Sequence, residues 1–434
     1  MILLTIFLGL VFLYSLVSAR LEKTVLTAPM LFTAAGMAIL LLFPELRERK
    51  ASTEVFLRVA EVGLVLLLFT DASRTDLRVL KHIRNLPVRL LSTGMLLTIL
   101  LGGLAALAVF PRLTLWEAGI LAAILAPTDA GLGQIIVNSP RVPMRIRQAL
   151  NVEAGLNDGL SVPFLMFFIA LSAAGVEGAR ASLAGFMIEQ LGYGTIIGVG
   201  VGLACGWLLK LAHRRQWTAA SFHQLGLVAV PLFCLLASEA TGASMFIAAF
   251  VAGLAVQVGF PDAGEHSVEF TEEWGQLFNL AVFFLFGLLS ARAWGRFQPA
   301  HLLYAILSLT VVRMLPVAVA LVGAGLSRAT VLFMGWFGPR GLASLVFALL
   351  AVERGVPEAK TLLTTVAVTV FLSVFLHGFT SVPFVAWYHR WYEAHAEAHP
   401  QAPEAAPAQE PRRRHQATAS DVGTLREAGR APRG

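Results

Sequence analysis

Asp158 is the residue of this sequence best placed to do chemistry from within an apolar stretch. It lies in Asn151-Val-Glu-Ala-Gly-Leu-Asn-Asp-Gly159, which runs on into Leu160-Ser-Val-Pro-Phe-Leu-Met-Phe-Phe-Ile-Ala-Leu171. The stretch is long and apolar enough to enter a bilayer, yet its first turns carry Asn151, Glu153, Asn157 and Asp158. A carboxylate at membrane depth costs about 3 kcal/mol even on the gentler insertion scales, so it needs a partner, an ion or water. On a helix, Glu153 and Asn157 share one face, while Ala154 and Ser161 flank Asp158 on its own face. Upstream, Leu121-Ala-Ala-Ile-Leu-Ala-Pro-Thr-Asp-Ala-Gly-Leu-Gly-Gln134 adds a second acid, Asp129, between Pro127 and Gly131. Proline removes a backbone donor and glycine relaxes the chain, so a helix breaks here. Carbonyls freed at membrane depth survive only where they are buried in protein or line a cavity. Such carbonyls, the Thr128 hydroxyl and the Asp129 carboxylate are hard oxygen ligands for a small alkali cation. The same acid would serve equally as a cap for the half-helix that follows. Two intramembrane carboxylates, one on a helix and one on a broken helix, point to a cation or proton path.

The other charged residues of the apolar runs have plainer readings. Asp158 could be a buried acid paired with a base, and the deep bases are Arg313 and Arg340. Asn157 is neutral and can hydrogen-bond across helices without charge. Glu153 and Arg340 each stand unpaired in apolar context, and a mutual ion pair between them removes both problems. Asp71 closes the run Val65-Leu-Leu-Leu-Phe-Thr-Asp71 beside Arg74, either as a charge at a span end or as a third carboxylate near the site. His377 and the many Met and Phe residues read as packing.

These residues are carried by a chain of 434 residues with 57% hydrophobic and 14% charged residues and a mean hydropathy of +0.72. A soluble globule has about 25% charged residues, so the class is an all-α polytopic membrane protein. The net charge of +6 is modest and lies largely in loops and tail, which reads as topology signal rather than nucleic-acid binding. Cys205 and Cys234 fall inside apolar runs, and neither CxxC nor HExxH spacing occurs. No cofactor and no enzyme activity is expected. Val17-Ser18-Ala19 faintly resembles a cleavage site, but without a positive n-region the first run reads as an uncleaved span.

A span needs about 20 apolar residues. The runs are 1–19, 25–43, 55–72, 88–110, 115–138, 147–174, 183–212, 223–239, 243–259, 273–291, 300–325, 330–352 and 361–388, about thirteen transmembrane helices. Around Glu239-Ala-Thr-Gly242 two spans could be one bent span. Basic residues follow the third run (Arg74, Arg78, Lys81, Arg84, Arg89), the fifth (Arg141, Arg145, Arg147) and the seventh (Lys210, Arg214, Arg215). These loops share one side, read as cytoplasmic. The N-terminus is then outside and the C-terminal tail, with Arg412-Arg413-Arg414, inside. Arg47, Arg49 and Lys50 in the second loop run against this pattern, and the ninth loop, Asp262 to Glu273, has no basic residue. Residues 1–390 form the membrane domain; residues 391–434, rich in Ala, Pro, Glu, Gln and Arg, read as a disordered tail. Thirteen runs fit six, a linker and six, the inverted-repeat plan with discontinuous helices. The broken fifth run then needs a late counterpart, either at Gly338-Pro339-Arg340-Gly341 or in Thr361 to Gly378.

Thr128-Asp129, Glu153-Ala154-Gly155-Leu156-Asn157-Asp158 and Gly338-Pro339-Arg340-Gly341 resemble, in order and depth, the signature positions of NhaP-type sodium/proton antiporters of the monovalent cation:proton antiporter-1 family. Phe246 to Gly253 and Phe283-Phe-Leu-Phe-Gly287 look familial too, and the resemblance spans residues 1–390. It implies thirteen helices in inverted repeats, core and dimerisation subdomains, a homodimer in the cell membrane, and two broken helices crossing near the midplane. It implies that Asp158 carries cation or proton, that Asp129 and Thr128 assist as Na⁺ ligands beside Asn157, and that Glu153 and Arg340 form a buried pair. The Asn157-Asp158 pair, in place of two acids, goes with electroneutral exchange. The family often has Ser where this chain has Ala154, which leaves open Na⁺ or Li⁺ over K⁺. The expected function is monovalent cation/proton antiport. The rivals are K⁺/H⁺ exchange and, from another class, a channel-like or sensor protein on the same fold.

Overall fold

A computed structural model describes residues 2–21, 24–43, 53–74, 85–174, 185, 188–260, 265–399 and 402–404. Among these residues the secondary structure is helical, with no strand. The chain forms α1 (Ile2–Leu21), α2 (Ala28–Leu42), α3 (Thr53–Arg74) and α4 (Asn85–Arg89), which passes through a π-helical turn, Leu90–Gly94, into α5 (Met95–Val109). Next come α6 (Leu115–Ile124), α7 (Ala130–Val137) and α8 (Met144–Ala174). A second π-turn, Ile188–Tyr193, opens α9 (Gly194–Arg214), followed by α10 (Ala220–Thr241), α11 (Met245–Gly259) and α12 (Glu265–Ala293). The last elements are α13 (Pro299–Leu309), α14 (Val311–Ala320), α15 (Arg328–Trp336), α16 (Leu342–Glu353) and α17 (Ala359–Ala398).

Each apolar run falls on one helix or on two helical pieces meeting at a break. Among the described residues, eight helices are long and apolar enough to cross a membrane unaided. Breaks sit where local chemistry puts them. Gly242 takes φ +71° at the end of α10, and Ser244 accepts from the Ile247 amide to start α11. The stretch at Glu239–Gly242 is therefore two helices. The fifth run divides into α6 and α7 around Pro127, and the twelfth into α15 and α16 around Gly338–Gly341. The second discontinuous element is thus the Gly338 stretch, and the alternative, Thr361 to Gly378, lies inside the continuous α17. The fifth and twelfth runs occupy the same place in two six-run halves if the seventh is a linker.

The helices pack as two groups. In one, α2, α3, α9, α10, α11 and α12 pack on one another. In the other, α5, α6, α7, α8 and α13 to α17 do so. The first group is held by glycine. Gly194, Gly198, Gly202 and Gly206 recur every fourth residue on α9, and a Cβ at the last three would lie 2.6–2.9 Å from the carbonyl oxygens of Ala248, Ala252 and Val256 on α11. Small residues at this spacing let two helices touch backbone to backbone. Gly36 of α2 and Gly287 of α12 make the same kind of contact with Phe284 O and Thr33 O. The groups meet where α3 and α11 face α8, and α3 faces α16.

The last helix runs on to Ala398, past residue 390 where the tail was expected to begin. Tyr388 stacks on Phe333 and Trp391, and Trp391 on His395, so apolar contact continues the helix. The chain then returns to the bundle: Glu404 Oε1 accepts from Ser327 N (2.6 Å) and Thr330 Oγ1 (3.0 Å), and Arg145 donates to Pro403 O (2.9 Å). The remainder of the expected disordered tail, 405–434, lies outside the described residues, as do the loop charges at 44–50, 75–84 and 261–264.

Candidate ion site at the crossing of two broken helices

The two breaks meet. Asp129 donates its backbone N–H to Pro339 O at 2.8 Å. Its carboxylate reaches both half-helices that start here. Oδ1 accepts from Leu132 N at 3.0 Å, as the N-cap of α7, and Oδ2 accepts from Leu342 N at 2.9 Å, at the head of α16. A helix N-terminus carries about half a positive charge and unsatisfied amides, so one carboxylate answers two of them. A Cβ on Gly341 would collide with Asp129 Oδ2, which is why glycine stands there. Of the two readings of Asp129 open from the sequence, the capping geometry is the one observed; an ion-ligand role for it is a proposal. Asp129→Ala is expected to destabilise the protein by about 2 kcal/mol, one cap at each of two helices, with Asp129→Asn costing less. An unchanged melting temperature in detergent for the Ala variant would contradict this.

Arg340 balances the other ends. Its guanidinium is fully buried and donates to Ala126 O (2.5 Å) and Pro127 O (2.6 Å), the carbonyls freed by the break after α6. Ser344 donates to Ile124 O at 2.9 Å. The Arg340 N–H goes to Ser373 Oγ (2.7 Å) on α17, and His377 Nε2 lies 3.0 Å from Trp336 O at the end of α15. His377, expected as packing, thus also holds the lower lip of the second break.

The expected Glu153–Arg340 pair is not formed. Glu153 is bidentate with Arg313 of α14, at 2.5 Å (Nη1–Oε1) and 3.0 Å (Nη2–Oε2), with both side chains buried. The break explains the exchange of partners: the two freed carbonyls of Ala126 and Pro127 claim Arg340, and Gly338, without a Cβ, lets the Arg313 side chain approach. Arg313 was visible in the sequence as the other deep base; nothing in the spacing favoured it.

Asp158 is left without such an answer. It lies mid-α8, and its Oδ1 is buried with no hydrogen-bond partner among the described residues. The charged groups acting on it are Asp129, Asp71 and Arg340. Asn157, beside it, donates Nδ2 to Thr128 Oγ1 at 2.7 Å, tying α8 to the first break. Asp71 of α3 reaches the region from the other helix group: a Cβ on Gly155 would lie 3.4 Å from Asp71 Cβ. Thr128, Asp129 and Ala154 line a cavity of about 20 Å³ with Gly133, Leu150 and Phe337; a water needs about 10–15 Å³. Thr128, Asp129, Asn157, Asp158 and Asp71 are therefore brought together, with Ala154 at the cavity wall, and Glu153 and Arg340 stand behind them with different partners.

Two half-helices whose N-termini converge at a shared break, beside a carboxylate with one buried oxygen that has no partner among the described residues, define the architecture of the discontinuous-helix membrane transporters. The transmembrane sodium/hydrogen exchanger family model matches residues 3–387, and the chain belongs to that family. It is a multi-pass membrane protein of that family. It is similar to an Na(+)/H(+) antiporter of Schizosaccharomyces pombe, 28% identical over 60% of this chain and 60% of that protein. It is also similar to a sodium, potassium, lithium and rubidium/H(+) antiporter of Bacillus subtilis, 26% identical over 57% of this chain and 36% of that protein. The K(+)/H(+) antiporter NhaP of Alkalimonas amylolytica is 25% identical over 70% of this chain and 53% of its own length. The matches thus span 60% or less of these relatives. Among solved structures, the sodium proton antiporter MjNhaP1 of Methanocaldococcus jannaschii superposes with a TM-score of 0.67 at 20% identity, over 87% of this chain and 99% of that one, and shares the fold.

Proposed function

We propose that the chain is a secondary-active monovalent cation/proton antiporter that exchanges Na⁺ or Li⁺ for H⁺, electroneutrally, at Asp158. The observation that carries this is the lone Asp158 oxygen: Asp129, Glu153, Arg313 and Arg340 all have hydrogen-bonded partners, and Asp158 Oδ1 has none among the described residues and is open to a proton or a cation. Cation and proton exclude each other there, and either one neutralises the carboxylate. A neutral core crosses the hydrocarbon cheaply and a charged, empty one does not, so the two fluxes are coupled without a separate gate. Thr128, Asn157, Asp129 and Asp71 complete the surroundings, with water where the family's Ser would stand at Ala154. K⁺/H⁺ exchange is the second reading, favoured by the names of two relatives and by that missing hydroxyl.

The site belongs to a core of α4 to α8 and α13 to α17 working against the remaining helices, in a thirteen-span homodimer of the cell membrane with its N-terminus outside and C-terminus inside. Only 6% of the apolar window of α1 is fully buried within one chain, and its outer face, with Leu8, Phe12 and Leu16 exposed, supports a second copy as its cover. Collapse of an imposed pH gradient in proteoliposomes on addition of Li⁺, Na⁺, K⁺ or Rb⁺ tests the reading; conductance without coupling would replace it with a channel. Competition sets the pH dependence: half-saturation for the cation should rise as pH falls, giving a bell-shaped profile of transport against pH. Half-saturation that does not move between acidic and alkaline pH would place cation and proton on separate groups.

A further inference from the structure

Asn279 has no role in the site as described so far. It lies on α12, in the helix group of α2 and α3, and is 9% exposed in the middle of an apolar helix. Its Oδ1 is buried and has no hydrogen-bond partner among the described residues. Its amide faces the crossing from across the boundary between the groups: a carbon placed on Gly131 would lie 3.4 Å from Asn279 Nδ2 and 3.1 Å from Asp129 Oδ1. With Nδ2 turned toward the carboxylate side, the orientation that electrostatics favours, Oδ1 remains an acceptor with nothing to accept. A buried amide oxygen left so is unfavourable unless something binds it. Amide carbonyl dipoles are the groups that replace the hydration shell of an alkali cation.

We infer that Asn279 is a specificity-determining residue of the cation site, contributed by the opposite helix group. Its Oδ1 coordinates the monovalent cation, directly or through one water, while the crossing stands where this structure places it. The inference rests on the antiport reading and adds a ligand to it. Asp158, Thr128 and Asp129 travel together, because the hydrogen bonds of the crossing join them. Asn279 sits on the other body, so relative movement of the groups withdraws its oxygen and leaves the cation with the core ligands alone. The cation is then held more tightly in one position of the core than in the other.

The test uses the full chain in proteoliposomes, with Li⁺, Na⁺ and K⁺ titrated at one alkaline pH. Asn279→Ala is expected to raise half-saturation for the preferred ion about five- to tenfold, the worth of one lost ligand, more than it lowers the maximal rate. It is also expected to change the ratios among the three ions, because the ligand that discriminates them has gone. Asn279→Asp keeps an oxygen at the same reach and is expected to recover most of the affinity. A general loss of folding would scale all three ions alike. Where Asn279→Ala is not monodisperse in detergent, Asn279→Ser supplies the same comparison of ion ratios. Wild-type half-saturations and ratios in the variants, with wild type exchanging and Asp158→Asn inactive, overturn the role of Asn279 and leave the antiport reading intact. Exchange that is absent in wild type, or that persists in Asp158→Asn, overturns both.

Discussion

Asp158→Asn is expected to abolish cation-driven proton exchange, by at least about 100-fold, while the protein remains folded. The substitution keeps the size and the helix position and removes the group that trades a proton for a cation. Its structural cost is small because the Asp158 Oδ1 has no hydrogen-bond partner among the described residues to lose. An amide at this place is also neutral at every pH, so the core is permanently in the form that crosses the bilayer cheaply. The variant should therefore move between its two positions yet carry nothing. Gel filtration and melting temperature report the fold, and collapse of an imposed pH gradient reports exchange. Near wild-type collapse in a monodisperse variant would end the assignment of Asp158 as the exchanging group.

The second large effect is on stability. Removing either charge of the Glu153–Arg313 pair, by Glu153→Gln or Arg313→Leu, leaves the other buried and unpaired, which typically costs about 3–5 kcal/mol. Both side chains are below 6% exposed, so water does not make up the loss. Removing both should cost clearly less than the sum of the two singles. Arg340→Ala is also destabilising, because the carbonyls of Ala126 and Pro127 lose their donor, but it should combine with Glu153→Gln far more nearly additively. A double-mutant cycle that couples Glu153 to Arg340 more strongly than to Arg313 would show that the pairing is the reverse of the one described.

The broken fifth run was legible because Pro127, Asp129 and Gly131 each act locally on the backbone, and local chemistry is what a sequence displays. The second break was less so. Thr361 to Gly378 has more polar side chains than the Gly338 stretch, and composition alone does not say which of them breaks. The difference is geometric. Thr364, Thr365 and Thr369 donate back to the carbonyls one turn earlier, at 2.8 Å each, and so leave α17 whole. Nothing of the kind is open to Gly338 or Pro339. The ion pair failed for a related reason. Glu153, Arg313 and Arg340 are isolated charges in separate runs, and one-dimensional spacing holds no information on which pair will touch. Arg340 was already committed to the break it belongs to, and that followed only once the two breaks were seen to meet. Asn279 carried no signal at all, since a neutral amide in an apolar helix neither alters the charge nor interrupts the period.

The glycine row of α9 has a mechanical consequence. Side chains between helices act as a soft layer that can re-pack through rotamer changes when one element pushes on another. Between α9 and α11 that layer is missing, because Gly198, Gly202 and Gly206 bring backbone against backbone. Gly253 does the same for α11 against Phe69 O of α3, and Gly36 and Gly287 for α2 against α12. On the antiport reading proposed above, this half would be the stiffer of the two, with little compliance along these backbone contacts in which a stroke could be lost. Displacement of the half that carries Asp158 is then expected as sliding along α3 and α11, which meet α8 through the side chains of Asp71 and Phe250. A stiff partner of this kind would convert the charge state proposed for one carboxylate into whole-body travel rather than into local strain.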